Sequence, residues 1–263
     1  MYPFVLFDYA VITGKGKPPF GCHPHAGMIA CTVIVDKGNV RSEDHTGQVE
    51  QVQANGLGIL QAGAAAAHNE CSDDNGEHHI CQIIVKMVNE RMHDQPKGFF
   101  LKESDIPVLD VPGGTIRMLI GGNLCGGPPS PVDGQLSGMP PHTLLARVLV
   151  NPGKTVSLDI AKDADHGFAY VLKGSFLIGK DADNSIDRES GLAIFGGGDV
   201  LNLQNPGNND AEVLIGAGKR VDEPWVKLLG NNGFVIAPNE GEAEIMMEDA
   251  SKLLPKSTDA TSQ

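Results

Sequence analysis

The sequence predicts an all-β chain built as two homologous β-barrels, with one short helix near its C-terminus. Three observations carry that expectation. Glycine supplies 33 of 263 residues, against about 7% in ordinary chains. It follows no G-X-Y period, so it points to the tight turns of sandwiches and barrels rather than to collagen. Short apolar, β-branched runs separated by Gly, Pro and Asn recur along the chain. Finally, an apolar strand closing on a glycine, Val33-Ile34-Val35-Asp36-Lys37-Gly38, returns as Tyr170-Val171-Leu172-Lys173-Gly174 at an offset of 136 residues (174 − 38), about half the chain.

The elements follow in order. Strands are expected over residues 2–8, 28–35 and 80–88 in the first half, and over 115–120, 144–150, 168–172, 200–203 and 211–215 in the second. Turn chemistry stands between them at Asp36-Lys37-Gly38, Val111-Pro112-Gly113, Asn151-Pro152-Gly153 and Asn205-Pro206-Gly207, where Pro presets φ and Gly accepts φ > 0. No helical period alternates with the strands, which argues against a parallel βαβ sheet. The repeat places a boundary near residues 104–114 and divides the chain into 1–104 and 105–263, with a Gly/Pro-rich loop over 121–141. The helix is expected from Glu240 to about Leu254, with Asn239 as N-cap and Glu242 as its capping-box partner. Ala243, Met246, Met247, Ala250, Leu253 and Leu254 form one apolar stripe that packs on a neighbour. Pro255 stops the helix, and residues 256–263 read as a frayed tail.

Charge narrows the function. A net charge of −13 speaks against direct nucleic-acid binding, which needs clustered Lys and Arg to neutralise phosphates. It disfavours anionic membranes for the same reason. No apolar run approaches the roughly 18 residues of a membrane span. The start, Met-Tyr-Pro-Phe-Val-Leu-Phe-Asp, has no basic segment and an acid at position 8, unlike a signal peptide. Five cysteines without a CxxC (Cys22, Cys31, Cys71, Cys81, Cys125) read as reduced thiols of a cytoplasmic protein.

The chemistry concentrates in His23-Pro24-His25 and His68-Asn69-Glu70. On a strand, residues i and i+2 share a face, so each pair aims two ligands into one barrel. Pro24 lacks an amide hydrogen and suits a strand edge or start. Three neutral imidazoles and one carboxylate make a mixed N/O set for a divalent first-row metal, leaving positions open for water, oxygen or a chelating substrate. Gly47, Gly56, Gly58 and Gly63 provide turns that bring the pairs together. His45 reads as an exposed turn residue, His78-His79 as a surface pair at a strand start, and Cys22 as pointing away from the ligands. His166 has no HxE partner, and Gly196-Gly197-Gly198-Asp199 reads as a turn.

These residues resemble the pirins, a bicupin family. The likeness runs through Pro3-Phe4-Val5-Leu6-Phe7-Asp8, His23-Pro24-His25-Ala26-Gly27, Glu43-Asp44-His45-Thr46-Gly47, Gln61-Ala62-Gly63 and His68-Asn69-Glu70, and returns at Gly233-Phe234-Val235-Ile236. It implies two cupin-type barrels, the N-terminal one holding a single metal, commonly Fe, through His23, His25, His68 and Glu70. Mn, Ni, Co, Cu or Zn are the other candidates. It also implies either quercetin 2,3-dioxygenase activity on a flavonol-like substrate, with Glu70 as general base, or a metal- or redox-dependent regulator acting through a protein partner. This chain departs from the family at Ala26, where an Arg is usual, at Gly58-Ile59-Leu60-Gln61, where a Trp is usual, and at Ala64-Ala65-Ala66-Ala67, which reads as an apolar site mouth.

Overall fold

The computed structural model describes residues 2–15, 21–122, 124–160, 164–179, 184–189, 191–198, 200–220, 222–230 and 232–255. Its strands are β1 (Phe4–Thr13), β2 (His23–Ala26), β3 (Met28–Ile34), β4 (Asn39–Asp44), β5 (Val49–Gln53), β6 (Leu57–Gln61), β7 (Ala66–Cys71), β8 (Glu77–Lys86), β9 (Lys97–Leu101), β10 (Val108–Val111), β11 (Gly114–Ile120), β12 (Leu144–Val150), β13 (Thr155–Asp159), β14 (His166–Lys173), β15 (Ser175–Ile178), β16 (Asn184–Asp187), β17 (Leu192–Gly196), β18 (Val200–Gln204), β19 (Ala211–Gly218), β20 (Val226–Gly230) and β21 (Gly233–Ala237), before α1 (Glu240–Ser251). The architecture is the all-β one expected, with two cupin-type barrels and a single α-helix among the described residues.

Two compact units emerge, one of Leu6–Phe100 with Glu223–Gln263, the other of Met1–Val5 with Leu101–Asp222. The first holds sheets ordered β1-β8-β3-β6-β9 and β20-β21-β2-β7-β4-β5; the second holds β10-β11-β12-β19-β14-β17 and β13-β18-β15-β16. A division at 104/105 assigns the last 41 residues to the second half, whereas the structure has Glu223–Gln263 with the first. The pairing responsible is β21 on β2, parallel, with His25 opposite Phe234 and Ala26 opposite Val235. Partners more than 200 residues apart leave no local signature.

Within its own unit each copy of the repeat holds the same place. β3 lies antiparallel between β6 and β8, and β14 lies antiparallel between β17 and β19. The closing glycines both take positive φ, +103° at Gly38 and +76° at Gly174. A Cβ at Gly38 would also stand 2.6 Å from the His78 Cα. Only glycine satisfies both demands.

β3 is buried along its whole length and forms the spine of the first unit. Phe168, Phe176, Val148 and Val213 lie in the core of the second. On α1, Asn239 Oδ1 accepts the Glu242 N–H at 3.0 Å, as expected of the cap. The Glu242 carboxylate instead turns to His93 Nε2, 2.7 Å away. Ala243, Met246, Met247 and Ala250 are buried and Leu253 and Leu254 half-buried, so the apolar stripe faces β2, β20 and β21. The tail over 256–263 lies outside the described residues. Among the described residues no helix is long and apolar enough to cross a membrane.

Candidate metal centre

The two histidine-bearing motifs fold as strands and pair directly. β2 and β7 run antiparallel with His23 opposite His68 and His25 opposite Ala66. Alternation then turns His23, His25, His68 and Glu70 toward one interior. Pro24 sits in a strand flanked by β21 and β7, not at a sheet edge. The parallel ladder with β21 begins at His25, so the missing amide hydrogen falls at the strand start.

Ligand atoms of His23, His25 and His68 all lie within 4.8 Å of one another, and all three residues are buried. His68 Nε2 is 3.2 Å from His23 Nε2. Two nitrogens each about 2 Å from one ion are separated by about 3 Å, so this spacing fits adjacent ligands. The outer nitrogens are committed elsewhere. His23 Nδ1 donates to the Gly21 carbonyl at 2.8 Å. His25 Nδ1 lies 3.4 Å from the Phe234 carbonyl, and His68 Nδ1 lies 3.5 Å from Ser42 Oγ. A donor bond at Nδ1 fixes the tautomer and leaves Nε2 as the ligating atom.

Electrostatics point the same way. Burial, with the neighbouring His68 and His23, pushes the His25 pKa well down, against the Phe234 carbonyl bond. Burial and His23 push His68 down to about 3, while Asp44 opposes them. Both rings are therefore neutral near pH 7, as ligation requires. Glu70 is raised by burial, with His23 and the Thr32 hydrogen bond opposing. Its Oε1 lies 3.1 Å from Thr32 Oγ1, which is also 3.0 Å from Gln82 Oε1. The three histidines thus form a nitrogen set that suits a divalent first-row metal, and the Glu70 carboxylate stands outside the cluster they make.

The four residues line one cavity of about 310 Å³, with Leu6, Ile80, Ile84 and Phe234 among its apolar walls. His78 corrects the expectation of a surface position: it is fully buried and lines the same cavity. Its Nδ1 accepts the Asn39 N–H at 2.9 Å and its Nε2 is 3.2 Å from Asp74 Oδ1. Ala66 and Ala67 are likewise buried within β7 rather than at a site mouth. Gly58 stands inside β6 and makes no turn. His45 is half-buried beside β7, where the Ala67 N–H donates to its Nδ1 at 3.4 Å. Burial and Glu43 raise the Cys22 thiol. His166, in the other unit, bonds Asp165 Oδ1 at 2.8 Å, and Asp199 lies outside the described residues.

Thr32 and Gln82 escape a motif search. Thr32 is the one hydroxyl residue in the apolar run of β3, and a buried hydroxyl needs a partner; that is the signal by which it is found.

A family profile described as Pirin matches residues 1–85. Pirin of Rattus norvegicus is 26% identical over 248 residues, covering 94% of this chain and 80% of that protein. The solved Quercetin 2,3-dioxygenase from Acinetobacter baumannii is 20% identical with a TM-score of 0.76, covering 95% of this chain and 85% of its own. Bacterial pirin YhhW from Escherichia coli, solved in complex with nickel(II), is 20% identical with a TM-score of 0.64 over 83% of each chain. At such identities the two structures establish the fold. The chain is thus similar to the Pirin family model over residues 1–85 and to pirins over nearly its whole length.

Proposed function

We propose that this chain is a mononuclear metal-dependent dioxygenase of the quercetin 2,3-dioxygenase type, acting on a flavonol-like aromatic substrate in the cytoplasm. His23, His25, His68 and Glu70 hold one divalent metal, with iron the first candidate and Mn, Ni, Co, Cu and Zn the others. The observation that supports this best is the convergence of three buried histidines, with Glu70, on the wall of one largely apolar cavity of about 310 Å³. That volume lies at the lower end of the range for small-molecule sites, ~300–1,000 Å³. The name of the Acinetobacter baumannii neighbour supplies the substrate class.

Bound there, the metal supplies Lewis acidity and a template for chelating oxygens. The remaining roles fall to the chain. Leu6, Ile80, Ile84 and Phe234 receive the aromatic rings and keep water away from them. The Glu70 carboxylate accepts the proton of the substrate hydroxyl, the task of a general base. Its raised pKa strengthens it for that task, because a buried carboxylate is a better proton acceptor than an exposed one. Thr32 Oγ1 keeps Glu70 Oε1 oriented.

The test is incubation of metal-loaded protein with quercetin, following the near-visible flavonol band and dioxygen uptake together. Stoichiometric loss of both supports the proposal. No turnover with iron, manganese, nickel, cobalt or copper overturns the substrate assignment.

A further inference from the structure

The metal-centre cavity has a much smaller neighbour. A space of about 30 Å³ is lined by Ala30, Val52, Gly58, Ile59 and Phe100, and shares four residues with the larger cavity: Thr32, Val40, His68 and Glu70. His23 and His25 line the larger space and not the smaller. The Thr32–Glu70 hydrogen bond and His68 therefore stand in the wall common to both. Exposed Gln48, bonded to Glu50 Oε1 at 3.2 Å, belongs to the smaller space as well and marks its outer end.

Size and lining decide what enters. A water needs about 10–15 Å³ on this measure, so 30 Å³ holds a diatomic molecule or one to two waters and excludes any aromatic ring. Several polar groups along it are already engaged: Asp44 Oδ1 accepts from Thr46 and Gln48, and Glu70 from Thr32. Its apolar wall is made chiefly by Ala30, Val40, Val52, Leu60 and Phe100, Ala30 and Leu60 standing opposite each other on one sheet face, and apolar pockets take up apolar gases. Gly58 keeps the space open, since a Cβ there would stand 2.9 Å from Val52 Cγ2 and 3.7 Å from the Phe100 ring.

We propose that this chamber is a separate site for a small apolar diatomic gas, dioxygen if the oxygenase reading holds, delivering it at the His68–Glu70 side while the organic substrate occupies the larger cavity. The gas's identity rests on that reading; the chamber does not. The two are tested apart. Metal-free crystals pressurised with xenon are expected to show a xenon peak among Ala30, Val52, Leu60 and Phe100, and Ala30→Leu is expected to abolish it. Val52→Leu, which fills the same space from another strand, serves if Ala30→Leu does not fold. In the metal-loaded protein with quercetin, either variant is expected to raise the KM for dioxygen about tenfold and leave the KM for quercetin unchanged. Ordered water in the chamber with no xenon overturns the site. Xenon binding accompanied by equal shifts in both KM values, or by no turnover, overturns its role in delivering dioxygen.

Discussion

Gly233→Ala tests how the C-terminal segment builds the metal centre. Gly233 opens β21, beside β2. A Cβ at this position would stand 2.0 Å from the Pro24 carbonyl oxygen and 2.8 Å from Pro24 Cδ, where ordinary contact begins at 3.4 Å. One strand must therefore move by about 1.4 Å (3.4 − 2.0). The obstacle is backbone, which has no rotamer to escape into, so the cost lies at the upper end of overpacking, about 3 kcal/mol. At about 2–4 °C per kcal/mol for a chain of this size, the melting temperature is expected to fall by about 6–12 °C. The displaced strand carries His23 and His25, and the Phe234 carbonyl that bonds His25 Nδ1 moves with β21. Loss of such support weakens metal binding by about 10–100-fold. Gly241→Ala is the control: it lies in α1, and its added Cβ meets only Asn239 Oδ1, at 3.6 Å. It is expected to stabilise by up to about 1 kcal/mol without changing affinity. Circular-dichroism melting and calorimetric titration with Ni²⁺ measure both effects. Wild-type melting and affinity in Gly233→Ala would refute the idea that β21 sets the position of the histidines.

Acid unfolding of the metal-free protein follows from His68. Its folded value of about 3 lies below the ~6.5 of the unfolded chain. Across that window the unfolded chain binds more protons, so stability is complete above pH 6.5 and falls as pH falls, by about 2 kcal/mol at pH 5 from this residue alone. His25 adds to the loss, whereas Glu70, raised rather than lowered, opposes it above its own unfolded value; a urea midpoint no lower at pH 5 than at pH 7.5 contradicts the account. Glu70→Gln is expected to keep one metal on three imidazoles with affinity reduced about 10–100-fold and to stop turnover; metal analysis beside quercetin consumption checks both. Lys86 Nζ is buried and donates to the Met87 carbonyl, Asn89 Oδ1 and Glu223 Oε2 at 2.8, 2.7 and 2.8 Å. Lys86→Met leaves these acceptors unmatched, and since Glu223 retains some exposure and the Asn89 N–H, a loss of about 3 kcal/mol is expected in denaturant unfolding; a loss under 1 kcal/mol contradicts a stabilising role for these three bonds.

Much of the candidate site was legible because it obeys local rules. Period-two spacing puts His23 with His25 and His68 with Glu70 on one face, and β2 and β7 pair so that His23 meets His68. The helix cap and buried stripe were equally local. What was hidden is long-range. The return of Glu223–Gln263 to the first unit depends on β21 pairing with β2, which no window of sequence encodes. The same return supplies the Phe234 carbonyl for His25. His78 looked like a surface histidine because its buried state depends on the close approach of Gly38, and Gly58 looked like a turn because a glycine that keeps a cavity open carries the same letter as one that bends the chain.

The central claim is that three histidines on two paired strands hold one divalent metal. Metal analysis of purified protein, joined to anomalous scattering from the same crystals, tests it most directly, with His25→Ala and His68→Ala beside the wild type. The account predicts one ion per chain, located among the Nε2 atoms of His23, His25 and His68, and no stoichiometric metal in either variant at neutral pH. An anomalous peak elsewhere, or unchanged metal content in both variants, would contradict it.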